Sequence, residues 1–239
     1  MVRFWQARGT APGNGLRRVA ARVLARGMRL TKLEHAALVI EDSGDLLFID
    51  PGKFTTPITE SAGAAAVVIT HQHDDHWTPD QLRRILEANT AVRIFGPAGV
   101  AAAASDFDVE VVDAGDEVEA GPFRLRFFGG KHAVIHRSIP VIDNVGVLVN
   151  DALYYGGDSF ALPEGVAVEV LAAPAAAPWM KISEAMDYVE AVAPRRAFPT
   201  HEMLLSQAGK ALSNTRLAWA TEQGGGEYLP LEPGDTIDF

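Results

Sequence analysis

His71-Gln72-His73-Asp74-Asp75-His76 sets three imidazoles and the Asp75 carboxylate within six residues. Imidazole and carboxylate are donors suited to zinc, iron and manganese. The stretch follows Ala66–Thr70, a β-branched run that reads as a strand buried on both faces. A loop at a strand end has the freedom to bend His71 and His73 toward one ion, and the helix expected after Trp77 constrains Asp75 and His76. A single loop cannot complete a coordination sphere, so further donors are needed at other strand ends. His132 follows Phe123–Phe128 through Gly129-Gly130, Asp158 follows Ala152–Tyr155 through Gly156-Gly157, and His201 directly follows Arg196–Thr200. Alone, each is an ordinary polar loop residue. Together with the first cluster they supply enough donors for two metal ions.

The chain contains no cysteine. Disulfides, zinc ribbons, cysteine nucleophiles and iron–sulfur clusters are therefore excluded. Any transition metal must be held by histidine and carboxylate.

These residues and their order resemble the metallo-β-lactamase superfamily. The resemblance rests on the H-x-H-x-D-H cluster, the later His132, Gly157-Asp158, His201 and the early Asp50-Pro51-Gly52, and it spans about Met28 to Phe239. His35-Ala36 and Gly157-Asp158-Ser159 are similar to the L-ascorbate-6-phosphate lactonase group and its relatives. The resemblance implies an α+β fold, the αββα four-layer sandwich. It implies one metal on His71, His73 and His132, a second on Asp75, His76 and His201, and Asp158 bridging both. Two divalent ions, zinc first and manganese or iron next, are the expected cofactors.

Two cations about 3.5–4 Å apart lower the pKa of a shared water toward roughly 7. The expected activity is therefore hydrolysis of an ester, lactone or phosphoester by a bridging hydroxide, with Asp75 also accepting or relaying a proton. The alternative on the same scaffold is a non-haem iron oxidoreductase resembling persulfide dioxygenases, which needs one redox metal and open coordination positions. A metal-stabilised binding module is the third reading; the full set of donors argues against it.

Other residues carry two readings each. His136 lies four positions after His132 and could replace it as ligand, or could face the substrate. His35 opens a strand, where a satisfied core histidine competes with a pocket role. Asp50 could orient a ligand imidazole through a hydrogen bond. Trp77, Trp179 and Phe160 either wall the pocket or are simply core. Lys53, Lys131, Arg137 and Lys181 could meet an anionic substrate, with solvated surface cations as the default.

The elements that must position these groups are short and interleaved. Ala36–Glu41 and Leu46–Asp50 flank the turn Asp42-Ser43-Gly44-Asp45 as a hairpin. Thr78-Pro79-Asp80-Gln81 has the form of a capping box opening a helix with Leu82, Ile85 and Leu86 on its apolar face. Strands are expected at Val92–Phe95, Val109–Val112 and Phe123–Phe128, with an alanine-rich helix between the first two. Val145–Val149 and Ala152–Tyr155 flank Asn150-Asp151 as a second hairpin. Val168–Ala172 reads as a strand, and Ile182, Ala185, Met186, Val189 and Val192 mark one helix face. The strand Arg196–Thr200 is followed by a helix from about Leu204. Helices covering mainly β sheets fit this order.

Charge divides the chain into two parts. Of 239 residues, 48% are hydrophobic and 22% charged, with a formal net charge of −10. Residues 1–27 hold six arginines and no acid. They are expected to be a basic extension, disordered or preceding a functional start at Met28, although transit peptides share this composition. The rest, 28–239, is expected to form the metallo-β-lactamase-fold domain. So acidic a body disfavours nucleic acid as a partner, because phosphate neutralisation dominates that affinity. The apolar runs around Ala64–Ile69 and Val166–Ala177 are too short or interrupted to span a bilayer. No secretory signal pattern is present, so a cytoplasmic protein acting on a small molecule is expected. Oligomeric state has no signature in the sequence.

Overall fold

The computed structural model describes residues 27–239. The expected extension at 1–27 therefore lies, apart from Gly27, outside the described residues. The elements run β1 (Arg29–Lys32), β2 (Leu38–Asp42), β3 (Asp45–Ile49), β4 (Ala64–Val68), α1 (Pro79–Ala88), β5 (Arg93–Gly96), α2 (Ala98–Ala103) and β6 (Val109–Val111). There follow β7 (Glu117–Ala120), β8 (Phe123–Lys131), β9 (Asp143–Val149), β10 (Leu153–Tyr155), β11 (Val170–Pro174), α3 (Ile182–Val192), β12 (Arg196–Thr200), α4 (Gln207–Gln223), β13 (Glu227–Tyr228) and β14 (Thr236–Asp238).

The strands form two seven-stranded sheets, β14-β1-β2-β3-β4-β5-β6 and β13-β12-β11-β10-β9-β8-β7. Both are mixed. β3, β4, β5 and β6 run parallel and the hairpin neighbours antiparallel in the first sheet. In the second, β10 to β13 run parallel. Leu38, Ile40, Leu47, Val68, Phe123, Val147 and Phe198 belong to one buried cluster that draws on both sheets. The opposite face of the first sheet packs Phe48, Val67 and Ile69 on Leu82 and Ile85 of α1 and Val100 of α2. The opposite face of the second packs Leu148, Tyr154 and Leu171 on Ala185 and Val189 of α3 and Leu217 of α4. Two sheets face to face with helices outside them make the αββα sandwich.

Several expectations shift in detail. The Asn150-Asp151 turn has φ of 49° and 54°, the left-handed pair a two-residue hairpin demands. Thr78 caps α1 by accepting from the Gln81 N–H at 3.2 Å. The Gln81 side chain, however, does not return to the cap. Its amide donates to the Thr55 and Thr56 carbonyls and its oxygen accepts from the Ile58 N–H, so it secures the 55–58 loop instead. The Gly129-Gly130 pair, expected to turn, stays in β8 opposite Val145 and Asn144, because β9 offers it a pairing partner. α4 begins at Gln207 rather than near Leu204, since Ser206 is the residue that caps it. Among the described residues, no helix is long and apolar enough to cross a membrane.

Candidate metal centre

The donors gather where strands from both sheets end. His71, His73, His132 and Asp158 form one group and His35, Asp75, His76 and His201 another, with the donor atoms of each group within 4.8 Å of one another. Asp158 links the two groups. Its Oδ2 lies 3.3 Å from His132 Nε2 and 3.4 Å from His201 Nε2, and its Oδ1 lies 3.3 Å from His76 Nε2. His136, by contrast, is exposed and bonded locally to Ser138, so of the two candidates it is His132 that joins the centre.

Each buried ring is oriented from behind. His76 Nδ1 donates to Asp50 Oδ2 at 2.6 Å, His132 Nδ1 to the Ala133 carbonyl at 2.5 Å and His201 Nδ1 to the Ala176 carbonyl at 2.6 Å. Asp50 also accepts from the Thr70 N–H at 2.7 Å and the Thr70 hydroxyl at 2.6 Å. With its proton given to Asp50, Thr70 Oγ1 is left to accept from His71 Nδ1, 3.1 Å away. A neutral imidazole that donates from Nδ1 presents a lone pair at Nε2. The network therefore turns a set of Nε2 acceptors toward the Asp158 carboxylate.

Acceptors facing acceptors in a buried space call for a cation. His76 Nε2, His132 Nε2, His201 Nε2 and Asp158 Oδ1 are all buried without a hydrogen-bond partner among the described residues. Leaving such atoms unpaired costs about 1–3 kcal/mol each. The chemistry and direction of these atoms fit divalent metal ions held by histidine and carboxylate. Without a cation, protons must take its place. Burial opposes charge on His201, but the Asp158 carboxylate outweighs it and raises His201 to about 9. Burial likewise opposes ionisation of Asp158, and the surrounding imidazoles outweigh that, holding it well below the usual carboxylate range. His71, buried and crowded by His76, is pushed well down.

Local backbone strain accompanies the geometry. His35, Asp50 and His201 adopt φ of 60°, 47° and 61°, a region that costs a residue with a side chain about 1–2 kcal/mol. Gly52 lets the Asp50-Pro51-Gly52 turn lie against the histidine loop, since a Cβ there would stand 1.8 Å from the Asp75 carbonyl oxygen. Gly157 has φ +61° and a Cβ on it would strike Asn144 Oδ1 at 2.5 Å.

Two partners of the centre show only part of their role in the sequence. Trp179, read as pocket wall or core, donates from Nε1 to Asp158 Oδ2 at 2.7 Å. His35, read as a core or pocket residue, is buried inside the second group with Nε2 3.2 Å from Asp75 Oδ2. Expected to open a strand, His35 instead lies in the turn between β1 and β2, which starts only at Leu38; the left-handed φ of 60° is what aims its ring into the group. Lys32 carries no signal in the sequence; its ammonium is buried against Glu202, next to His201, at 2.6 Å. Trp77 packs in the outer core over α1, and its Nε1 donates to the Gln72 carbonyl. Lys53 pairs with Asp74 and Lys131 with Asp143, both at the surface.

The chain belongs to the beta-lactamase superfamily, whose domain matches residues 29–201. It is similar to protein Rv0786c of Mycobacterium tuberculosis, 41% identical over 217 residues that cover 89% of this chain and 100% of that protein. Among solved structures it resembles Igni18, a metallo hydrolase from Ignicoccus hospitalis, with TM-score 0.67 and 19% identity over 89% of this chain and 98% of that one. The metallo-beta-lactamase fold protein YhfI from Bacillus subtilis matches with TM-score 0.67 and 15% identity over 90% of this chain and 100% of that one.

Proposed function

We propose that this protein is a dinuclear metal-dependent hydrolase of a small ester, lactone or phosphoester. The observation that carries the reading is Asp158, one carboxylate within 3.4 Å of His132 from one donor group and of His76 and His201 from the other, and itself gripped by Trp179. When bound, a metal pair at such a site supplies a water ionisable near neutral pH and a Lewis acid for the scissile oxygen. His71, His73 and His132 would hold one ion, Asp75, His76 and His201 the other, and Asp158 both. Zinc is the ion proposed, and the lactone-cleaving branch of the superfamily is the finer reading. A small-molecule substrate rather than nucleic acid accords with the net charge of −10, and the cytoplasm is the compartment proposed.

Asp75 has the second task. His35 and His201 hold its Oδ2 at 3.2 and 3.5 Å, while no hydrogen bond reaches its Oδ1 among the described residues. Burial opposes its ionisation, but those two imidazoles outweigh it and keep the carboxyl far below its ordinary range. In the metal-free protein it is therefore an anion, and Oδ1, free of hydrogen bonds, is the oxygen left to accept a hydrogen bond from the attacking water and relay its proton.

The test is elemental analysis of purified protein beside a panel of lactones, esters and phosphodiesters. Two equivalents of metal, turnover lost with chelator and restored by zinc, and loss of both in Asp158→Ala are expected. Full activity after complete metal removal would overturn the reading, and an iron-containing, oxygen-consuming preparation would favour the oxidoreductase alternative.

A further inference from the structure

The loops that bring His132 and His201 to the centre also carry most of the large apolar side chains exposed among the described residues. Of nine exposed large hydrophobic residues among the described residues, five lie there: Val134, Ile139 and Val141 between β8 and β9, and Met203 and Leu204 between β12 and α4. Val134 is 62% exposed and Leu204 56%. A sixth, Leu162, belongs to a different groove, against Ala191 and Val192 of α3.

Their placement relative to the centre is tight. Ala133, beside Val134, donates its N–H to the Asp158 carbonyl and accepts from His132 Nδ1. Met203 donates its N–H to His35 Nδ1. Of the clustered donors, only His73 and Asp75 are partly open to solvent. The His73 ring stands 4.9 Å from that of His132, and Asp75 Oδ2 stands 3.5 Å from His201 Nε2. The open side of the centre thus adjoins the ligand ends of the two apolar loops. Charge agrees with this. Residues 133–142 include no acid in a chain of net charge −10, and Glu202 on the other loop is buried with Lys32.

We propose that the substrate is an aliphatic ester or lactone whose hydrocarbon chain lies across Val134, Ile139, Val141, Met203 and Leu204 while its carbonyl sits at the metal centre. This rests on the hydrolase reading. Hydrolysis joins the water oxygen to the acyl carbon, breaks the acyl C–O bond and delivers water's proton to the departing alkoxide, giving an acid and an alcohol. Exposed apolar side chains beside a polar reaction centre are the pattern of a ligand site, polar groups fixing the reacting end and apolar ones covering the rest. A bilayer is the competing apolar partner. Five side chains on two loops, interrupted by His136, Arg137 and Pro140, do not form the amphipathic helix that lies in a membrane interface.

The experiment pairs turnover with binding. Zinc-loaded protein is given p-nitrophenyl acetate, butyrate, hexanoate and octanoate, and by calorimetry the corresponding free carboxylates. For half-covered chains, each added methylene is expected to strengthen binding and kcat/KM about twofold, against roughly fourfold for full burial. Val134→Ser/Ile139→Ser, and Met203→Ser separately, should flatten that slope; all three positions are exposed, so the fold does not depend on them. If no ester turns over but carboxylate affinity still climbs with length and flattens in the variants, the hydrolase reading fails and the apolar site stands. A flat slope in the parent protein, or an unchanged slope in both variants, overturns the proposal. Flat carboxylate binding together with co-sedimentation on phosphatidylglycerol vesicles overturns it in favour of a membrane surface.

Discussion

His35 Nε2 lies 3.2 Å from Asp75 Oδ2, and the His35 carbonyl accepts the His201 N–H at 2.9 Å. One residue, held at φ 60°, thereby connects two donors of the same group. The Met203 N–H reaches His35 Nδ1 at 3.4 Å, which makes Nδ1 the acceptor and Nε2 the donor of a neutral ring. Burial agrees with neutrality, pushing His35 down to about 4.

That arrangement predicts a positioning role through Asp75. His35→Ala should weaken one of the two metals about 10–100-fold, the usual cost of losing an outer partner. His35→Gln, which keeps an N–H able to reach the carboxylate, should lose much less. Competitive chelator titration distinguishes the sites, and equal losses in both variants would make His35 a ligand instead.

Trp179 offers a cleaner substitution. Trp179→Phe preserves a ring against Phe160, now 5.1 Å away between centroids, and removes only the indole donor to Asp158. Folding should be retained while metal affinity or kcat falls about tenfold or more. Unaltered metal affinity and turnover would mean that Asp158 holds its place without this bond.

Protons and metals should compete in opposite directions with pH. The metal-free His201 value of about 9 lies above the ordinary 6.5, so its protonation favours the folded state. That contribution is complete below about 6.5 and disappears as pH rises through 9. His35, lowered to about 4, has already lost its proton by that range. Thermal unfolding in chelator should therefore show Tm falling between pH 7 and 9. With zinc bound the fall should vanish, because metals require deprotonated imidazoles. Parallel curves with and without zinc would contradict the arrangement.

The Lys32–Glu202 pair predicts a stability effect next to the centre. Lys32 Nζ also donates to the Leu33 carbonyl, yet Glu202 Oε2 has no partner among the described residues. Lys32→Met leaves a buried carboxylate uncompensated and should cost about 3–5 kcal/mol in urea unfolding. Adding Glu202→Leu should recover most of it, since a buried pair replaced by apolar groups is often neutral. A double variant as unstable as the single one would assign the loss to packing.

The histidine cluster, both hairpins and the start of α1 were legible because their signals are local. A left-handed Asn-Asp turn, a threonine cap and a β-branched run depend on residues a few positions apart. Expectations slipped where pairing across the sheet overrode a local cue. The glycines before His132 remained in β8 because β9 lies alongside, and the strand expected at Val168–Ala172 shifted to Val170–Pro174 to pair with β12.

From the order of residues alone came the donor types, their places at successive strand ends and the absence of thiolate, since these depend on composition and on the alternation of strands with turns. Tertiary packing decided which nitrogen of each ring faces inward, that His35 stands with Asp75 and that Trp179 holds Asp158. It also paired Lys32 with Glu202, 170 positions away. Such contacts need two sheets stacked face to face, and no short-range pattern encodes which side chains will meet across them.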